Sequence, residues 1–247
     1  SDIWAMGGTP SSALALVGIE RAGNSVLEHD EFQQCMQGIK AAADAYQIKI
    51  SGGHSMSLDQ PFVAMTVEGQ ADRSIRKKGV RCGDLICMSG PIGSGVLLAA
   101  LKSGLPVGEA IDAWLRTAQC SLFKASQIAV SLDAHAMTDV TGFGLAGHLR
   151  EMLDGSPFGF SWHDDIPVFR GVKECLDQGV ISTSFQDNVR YAGKIGMGAP
   201  NSVVFDPQTC GPLIVSMPKS RSNILMRQWS ALGLQPSLIG SVTTETS

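Results

Sequence analysis

The stretch Ala136-Met137-Thr138-Asp139-Val140-Thr141-Gly142-Phe143-Gly144-Leu145-Ala146-Gly147-His148-Leu149 holds the residue types best suited to chemistry. One carboxylate, Asp139, stands between two threonines, three glycines follow up to Gly147, and helical apolar spacing continues through Leu149, Met152 and Leu153. This pattern sets a carboxylate ahead of a helix start. Glycine lets backbone N–H groups approach an anion closely, and a helix N-terminus favours negative charge. Asp139 is therefore a candidate ligand for a divalent cation, with the neighbouring backbone meeting a phosphate oxygen. The same spacing also fits a strand-to-helix turn in which Asp139 and the threonines only cap the helix.

Two other stretches carry small residues beside polar ones. Ser51-Gly52-Gly53-His54-Ser55 reads as a turn holding a histidine, and Ser89-Gly90-Pro91-Ile92-Gly93-Ser94-Gly95 reads as a glycine loop between a strand and a helix. The second invites a phosphate, yet it lacks the lysine and the spacing of a G-x-x-x-x-G-K-[ST] loop. His54 and His148 read as hydrogen-bonded structural histidines rather than catalytic bases. Cys210, beside a glycine turn, is a thiol that such a setting can activate. Asn188 and Gln208 are candidates for ordering loops around the site or for local turn bonding.

The elements that must position these residues follow from periodicity. Ala13–Ile19 is a continuous apolar run of strand length after the turn Gly7-Gly8-Thr9-Pro10. Phe32, Cys35, Met36, Ile39, Ala42, Ala43 and Tyr46 recur at three or four, which predicts an amphipathic helix from Asp30 to Tyr46. Strands are predicted at Phe62–Val67 and Asp84–Met88, and a helix from Val96 to Leu101. One long helix is predicted from Ile111 to Leu132, delivering the chain to Asp139. Beyond it come apolar pieces at Phe158–Phe160 and Ile166–Val168, a short helix near Val172–Leu176, and a polar, glycine-containing region from Gln178 to Pro200. Val203–Phe205, Leu213–Val215 and Leu238–Val242 read as strands, and Ser220–Leu232 as the last helix. The order of strands and helices predicts an α/β or α+β fold with mixed sheets packed by helices. Charged, glycine-broken residues between Ala71 and Gly83 suggest two domains, at 1–75 and 76–247.

Composition narrows the function classes. Lys plus Arg number 19 against 23 for Asp plus Glu in 247 residues, a net charge of -4, which gives no basic footprint for nucleic acid. No apolar run approaches the roughly 20 residues of a membrane-spanning helix, so no membrane partner is expected. The six cysteines are scattered without a CxxC pair and read as reduced thiols, consistent with a cytoplasmic protein. Ser1-Asp2-Ile3-Trp4-Ala5-Met6-Gly7-Gly8 has the look of mid-chain sequence, so residues upstream are expected.

Four segments together resemble selenophosphate synthetase (selenide, water dikinase), of the aminoimidazole ribonucleotide synthetase-like ATP enzymes. They are Ser1 to Gly8, Ser51 to Ser55, Ala136 to Gly144 with Gly147-His148-Leu149, and Asp206-Pro207-Gln208-Thr209, in the order and at about the spacing of that family. The resemblance implies a two-domain fold whose first domain binds ATP and forms a homodimer through its sheet. It also implies a reaction of ATP, selenide and water that gives selenophosphate, AMP and orthophosphate. Residue by residue, it implies that Asp2 and Asp139 bind Mg2+, that Asp2 also lies near the nucleotide, and that Gly52, Gly53 and His54 form an ATP-contacting turn. Hard oxygen ligands holding magnesium against a triphosphate fit the physics of phosphoryl transfer.

The chain departs from the family's wording in places. The family's reactive cysteine or selenocysteine, a nearby lysine and further aspartates would all precede Ser1. No catalytic nucleophile is therefore expected among the 247 residues, and this stretch alone is expected to be inactive. Ser89-Gly90-Pro91-Ile92-Gly93 lacks the family's lysine, and Cys210-Gly211-Pro212 stands where the family has Ser-Gly-Gly. These differences keep two alternatives open: another ATP-dependent kinase or synthetase of the superfamily, acting on an amide or thiamine phosphate, or a non-catalytic relative that binds nucleotide and dimerises.

Overall fold

The computed structural model describes residues 1–21 and 25–244, and the chain divides into two compact units, Gly8–Asp72 and Ser1–Gly7 with Arg73–Ser247.

The smaller unit is a three-stranded sheet with one helix. β1 (Thr9–Glu20) is the centre, β2 (Lys49–Leu58) runs parallel to it, and β3 (Phe62–Gln70) runs antiparallel. α2 (Ser25–Ala45) covers one face, where Ala15, Val17 and Ile19 pack against Ile39. The helix starts ahead of the Asp30 expected from periodicity and ends at Ala45. Period-two alternation sends Leu14, Leu16 and Gly18 to the opposite face, beside Phe62. That face is bare: Leu14 is 49% exposed and Leu16 40%.

The Ser51–Ser55 turn is a correction. Those residues lie inside β2, and the step in register between Ala13/Ile50 and Leu14/Gly52 leaves Ser51 as the extra residue of a bulge. Small residues there serve close approach rather than chain reversal. A Cβ on Gly53 would stand 1.8 Å from the Ala15 carbonyl oxygen, so only glycine lets the two strands pair.

The larger unit is built on an antiparallel sheet of order β5-β7-β4-β8-β6, with β4 (Leu85–Met88), β5 (Ala136–Asp139), β6 (Gly159–Trp162), β7 (Leu213–Met217) and β8 (Ser237–Thr243). Both faces are covered, which explains why these strands read as unbroken apolar runs. Ile86, Met88 and Ile214 face a core with α3 (Ser94–Lys102), α4 (Gly108–Ala118), α6 (Gly144–Leu153) and α7 (Val172–Asp177). Cys87, Met137, Leu213, Val215 and Met217 face the other core, with α1 (Asp2–Ala5), α5 (Phe123–Ser131) and α10 (Lys219–Ala231). Burial pushes the Cys87 thiol up to about 12.

Three further readings are corrected. The predicted long helix is two, α4 and α5, because the Ser121 hydroxyl accepts the Phe123 N–H at 3.0 Å and starts a new helix. The polar region 178–200 contains α8 (Phe185–Ala192) and α9 (Lys194–Met197). Ser202–Phe205 is a 3-10 turn rather than a strand, capped where Asn201 Oδ1 accepts the Val203 N–H at 3.2 Å.

No helix among the described residues is long and apolar enough to cross a membrane. All six cysteines are free thiols.

Candidate functional site

Asp139 ends β5, opposite Leu213. Strand alternation puts it on the face of Met137, the face that α1 covers through Ala5. α1 lies against β5, and the two are tied through the segment between them: Ile75 N–H donates to the Met6 carbonyl at 3.1 Å and Met137 N–H to the Arg76 carbonyl at 3.2 Å. Thus Asp2, exposed at the first position of α1, and Asp139 belong to one unit and one face of one sheet. Gly52, Gly53 and His54 belong to the other unit, where all three are exposed along the edge strand β2.

The carboxylate of Asp139 is one of the anomalies of this region. The residue is 7% exposed, and its Oδ2 is buried without a hydrogen-bond partner. A buried carboxylate oxygen left bare carries a desolvation cost that its fold does not offset. An oxygen of that kind fits a hard cation, so the residues present are compatible with magnesium. Among the described residues there is no group of three or more His, Cys, Asp or Glu that by itself forms a metal cage.

The loop after Asp139 is held at successive peptides. Val140 N–H donates to the Pro212 carbonyl at 2.9 Å, and Gln208 N–H donates to the Thr141 carbonyl at 2.9 Å. Pro212, an expected departure from the family wording, contributes its carbonyl here and needs no N–H. Asn188, on α8 and buried, donates from Nδ2 to the Gly142 and Phe205 carbonyls, each at 2.9 Å. Gly144, at φ +68, turns the chain into α6 where a Cβ would meet the Val204 carbonyl at 2.8 Å. The first residues of α6 are buried, so the open face of the loop is at Gly142 and Phe143.

His148 supports the same loop from within α6. Its Nε2 accepts the Thr141 N–H at 3.0 Å, which places the proton on Nδ1, 3.1 Å from Glu151 Oε2. Glu151 also takes Lys77 Nζ at 2.8 Å and the Tyr191 hydroxyl at 3.3 Å. Burial holds the His148 imidazole below its ordinary range, with the Glu151 charge opposing. The histidine is hydrogen-bonded to the loop, as its sequence setting suggested.

The glycine loop before α3 does not present its N–H groups to a ligand. Asp206 Oδ2 accepts the Gly95 N–H at 2.9 Å and the Val96 N–H at 3.1 Å, and Gln208 Oε1 accepts those of Gly93 at 2.8 Å and Ser94 at 3.1 Å. Side chains from a distant loop thus cap the helix start. Asp206 is fully buried, and its Oδ1 faces the Ser182 hydroxyl outside hydrogen-bonding geometry. Burial pushes its carboxyl up to about 6, against the pull of the Val96 N–H, the Ser182 hydroxyl, the Gln208 amide and the Gly95 N–H. The same loop is pinned at Thr209, whose N–H reaches Ser94 Oγ at 2.9 Å and whose carbonyl takes Trp114 Nε1 at 3.2 Å. Cys210 stands exposed at its bend with φ +52. Sequence reasoning missed the capping role of Asp206, for which the Asp-x-Gln spacing at 206–208 was the available signal.

The chain is similar to known proteins along nearly its whole length. Residues 1–71 match the family model for AIR synthase related protein, N-terminal domain, and residues 81–247 match that for its C-terminal domain. A selenide, water dikinase of Campylobacter jejuni is 28% identical over 249 residues, spanning 99% of this chain and 72% of the relative. One from Aeromonas hydrophila is 33% identical over 255 residues, spanning 100% and 72%, and one from Dechloromonas aromatica is 34% identical over 227 residues, spanning 87% and 64%. Among solved structures, Escherichia coli HypE, a hydrogenase maturation protein, aligns with a TM-score of 0.78 at 17% identity, covering 99% of this chain and 71% of that one. Thiamine-monophosphate kinase from Stenotrophomonas maltophilia aligns with a TM-score of 0.74 at 19% identity, covering 100% and 73%. At such identity these structures share the fold.

Proposed function

The chain belongs to the AIR synthase related protein family, with selenide, water dikinases among its relatives, and from that premise we propose that it serves selenophosphate synthesis. The reaction is the magnesium-dependent conversion of ATP, selenide and water to selenophosphate, AMP and orthophosphate. The observation that carries this reading is the buried, unpartnered Oδ2 of Asp139 at the end of β5.

Asp139 and Asp2 are the residues that would hold magnesium. Bound there, the ion supplies positive charge against the polyphosphate and orients its oxygens. Asp139 stays ready for it because the backbone around it is fixed: His148 holds the Thr141 N–H, Asn188 the Gly142 carbonyl, and Pro212 the Val140 N–H. Such fixing matters in phosphoryl transfer, where positioning and electrostatics supply most of the rate enhancement. Gly52, Gly53 and His54 are proposed to contact the nucleotide from the exposed edge of β2. The bare face of the smaller unit's sheet, with Leu14, Leu16 and Phe62, is proposed to pair with a second copy of the chain, which supports the homodimer that the resemblance implies.

Asp139→Asn tests the site. The amide keeps the size of the side chain and removes its charge, while no hydrogen bond of Oδ2 is lost. The expected result is loss of magnesium-dependent ATP binding in calorimetry with unchanged or raised stability, the mark of a residue kept for function. Unchanged ATP binding removes Asp139 from the site. Phosphorus NMR on the product of the full gene, with ATP, magnesium and selenide under anaerobic conditions, tests the reaction. Selenophosphate with AMP supports it, and ADP formed only with a thiamine phosphate acceptor replaces it with the other kinase chemistry.

One observation favours the non-catalytic reading: the lysine-free loop before α3 has its N–H groups occupied by Asp206 and Gln208, so it offers no phosphate seat. ATP binding without any turnover by the full gene product is the outcome that selects it.

A further inference from the structure

Beside α6, two clefts share Arg150 and differ in charge. One, of about 360 Å3, is lined by Lys77, Lys78, Glu151 and Asp154, and its lysines are neutralised: Lys77 pairs with Glu151 at 2.8 Å and Lys78 with Asp154. The other, of about 420 Å3, is lined by the exposed Arg150, Arg190 and Lys194 and by the more buried Phe158, Ala192 and Ile195. Among the described residues no carboxylate lines this second cleft. In a chain of net charge -4, a concave site lined by three cations and no acid, with only Arg190 meeting a carboxylate and that one outside the lining, concentrates anions by focusing positive potential.

We propose that this cleft binds a small organic phosphate, the phosphate on the Arg150, Arg190 and Lys194 side chains and its apolar body against Phe158 and Ile195. Two guanidinium groups and an ammonium match the charge and the multiple acceptors of a phosphate better than those of a single carboxylate. The volume lies within the usual range of small-molecule sites, and the half-buried Phe158 and Ile195 give it an apolar lining.

The cleft is also built rather than incidental. Arg150 donates to the Tyr191 carbonyl and sits 4.8 Å above the Tyr191 ring centroid, so its guanidinium is held before any ligand arrives. Trp162 Nε1 donates to the Ile195 carbonyl at 2.8 Å and fixes that wall. Arg190 meets Asp187 at 3.1 Å with both side chains exposed, a contact weak enough to be exchanged for a phosphate. Lys194 has no ion-pair partner among the described residues.

Calorimetric titration of the intact chain at low ionic strength, with phenyl phosphate and inorganic phosphate as probes, tests the proposal. Phenyl phosphate is expected to saturate one site and to bind several-fold more tightly than inorganic phosphate. Lys194→Gln and Arg190→Gln, both at exposed positions, are each expected to weaken phenyl phosphate binding about tenfold, the usual size for losing a charge-assisted hydrogen bond. Trp162 fluorescence should change on binding, and Asp139→Asn should leave the affinity unchanged, which separates this cleft from the proposed magnesium site. Absence of saturable binding overturns the proposal, as does binding that both cleft variants leave intact. Equal affinity for the two probes overturns the assignment of an organic ligand.

Discussion

Replacing Asp206 by asparagine separates two forces that act on one buried carboxylate. The N–H groups of Gly95 and Val96 favour its charge, and burial opposes it. The structure puts burial ahead, with the carboxyl raised from 3.8 to about 6. A group whose folded value lies above its unfolded value contributes most to stability below the unfolded value, here 3.8, and loses that contribution as pH rises through about 6. The full difference, about two pKa units, is worth about 3 kcal/mol, of which about 1.4 kcal/mol falls between pH 5 and pH 8. The substituted amide does not titrate. Its oxygen still accepts the Gly95 and Val96 N–H groups, and its NH2 faces the Ser182 hydroxyl. The stability of the Asp206→Asn variant relative to wild type should therefore rise by about 1.4 kcal/mol from pH 5 to pH 8. His148 titrates with the opposite sign: burial lowers it, so its contribution is complete above about 6.5 and is lost as pH falls through its folded value. Both proteins carry His148, and the difference cancels it. Urea unfolding followed by tryptophan fluorescence makes the measurement on the larger unit alone, since Trp4, Trp114, Trp162 and Trp229 all lie there. A gap that stays flat from pH 5 to pH 8 would refute the reasoning, because it would mean the four N–H and O–H neighbours outweigh burial.

Further consequences concern the rest of the chain. Gly53→Ala, with its Cβ 1.8 Å from the Ala15 carbonyl oxygen, should cost about 3 kcal/mol or unfold the smaller unit; Gly38→Ala, exposed on α2 with nothing within 4 Å, should stabilise by about 1 kcal/mol, both read by circular dichroism during urea unfolding. Asn188→Ala leaves the Gly142 and Phe205 carbonyls without their donor and should cost about 1–3 kcal/mol in urea unfolding, with weaker magnesium-dependent ATP binding in calorimetry. Leu16→Lys, at 40% exposure on the bare face of β1, should convert a dimer to a monomer in light scattering; an unchanged mass removes that face from the interface.

The parts of this fold that were legible in sequence are those whose environment is uniform along the chain. β4, β7 and β8 are covered on both faces, so apolar residues run through Ile86-Cys87-Met88 and Leu213-Ile214-Val215 without interruption. α2 and α10 bury one stripe each, and the 3.6 period shows it. The misreadings cluster where a single hydrogen bond or a close approach overrides composition. Ser121 divides one apolar period into α4 and α5, Asn201 caps a 3-10 turn that composition presents as a strand, and Ala15 demands glycine inside β2 where glycine elsewhere marks a turn.

The candidate site divides in the same way. Asp139 was legible because its carboxylate, threonines and glycines are neighbours in sequence. Asn188 and Gln208 stood out as candidates for ordering loops, but which peptides they hold did not: Gly142 finds Asn188 across 46 residues, and the Thr141 carbonyl takes the Gln208 N–H from another loop. Such partners leave no local periodicity, since each is an isolated polar residue in an element of different type. Asp206 Oδ2, Gln208, Asn188 and His148 Nε2 have hydrogen-bond partners, while Asp206 Oδ1 and His148 Nδ1 are buried beside the Ser182 hydroxyl and the Glu151 carboxylate without a hydrogen bond. Asp139 Oδ2 is a third such atom, and it belongs to the carboxylate at the end of β5, next to the open Gly142 and Phe143. A buried carboxylate oxygen without a partner carries a desolvation cost, and the cation proposed at Asp139 is the ligand that would offset it.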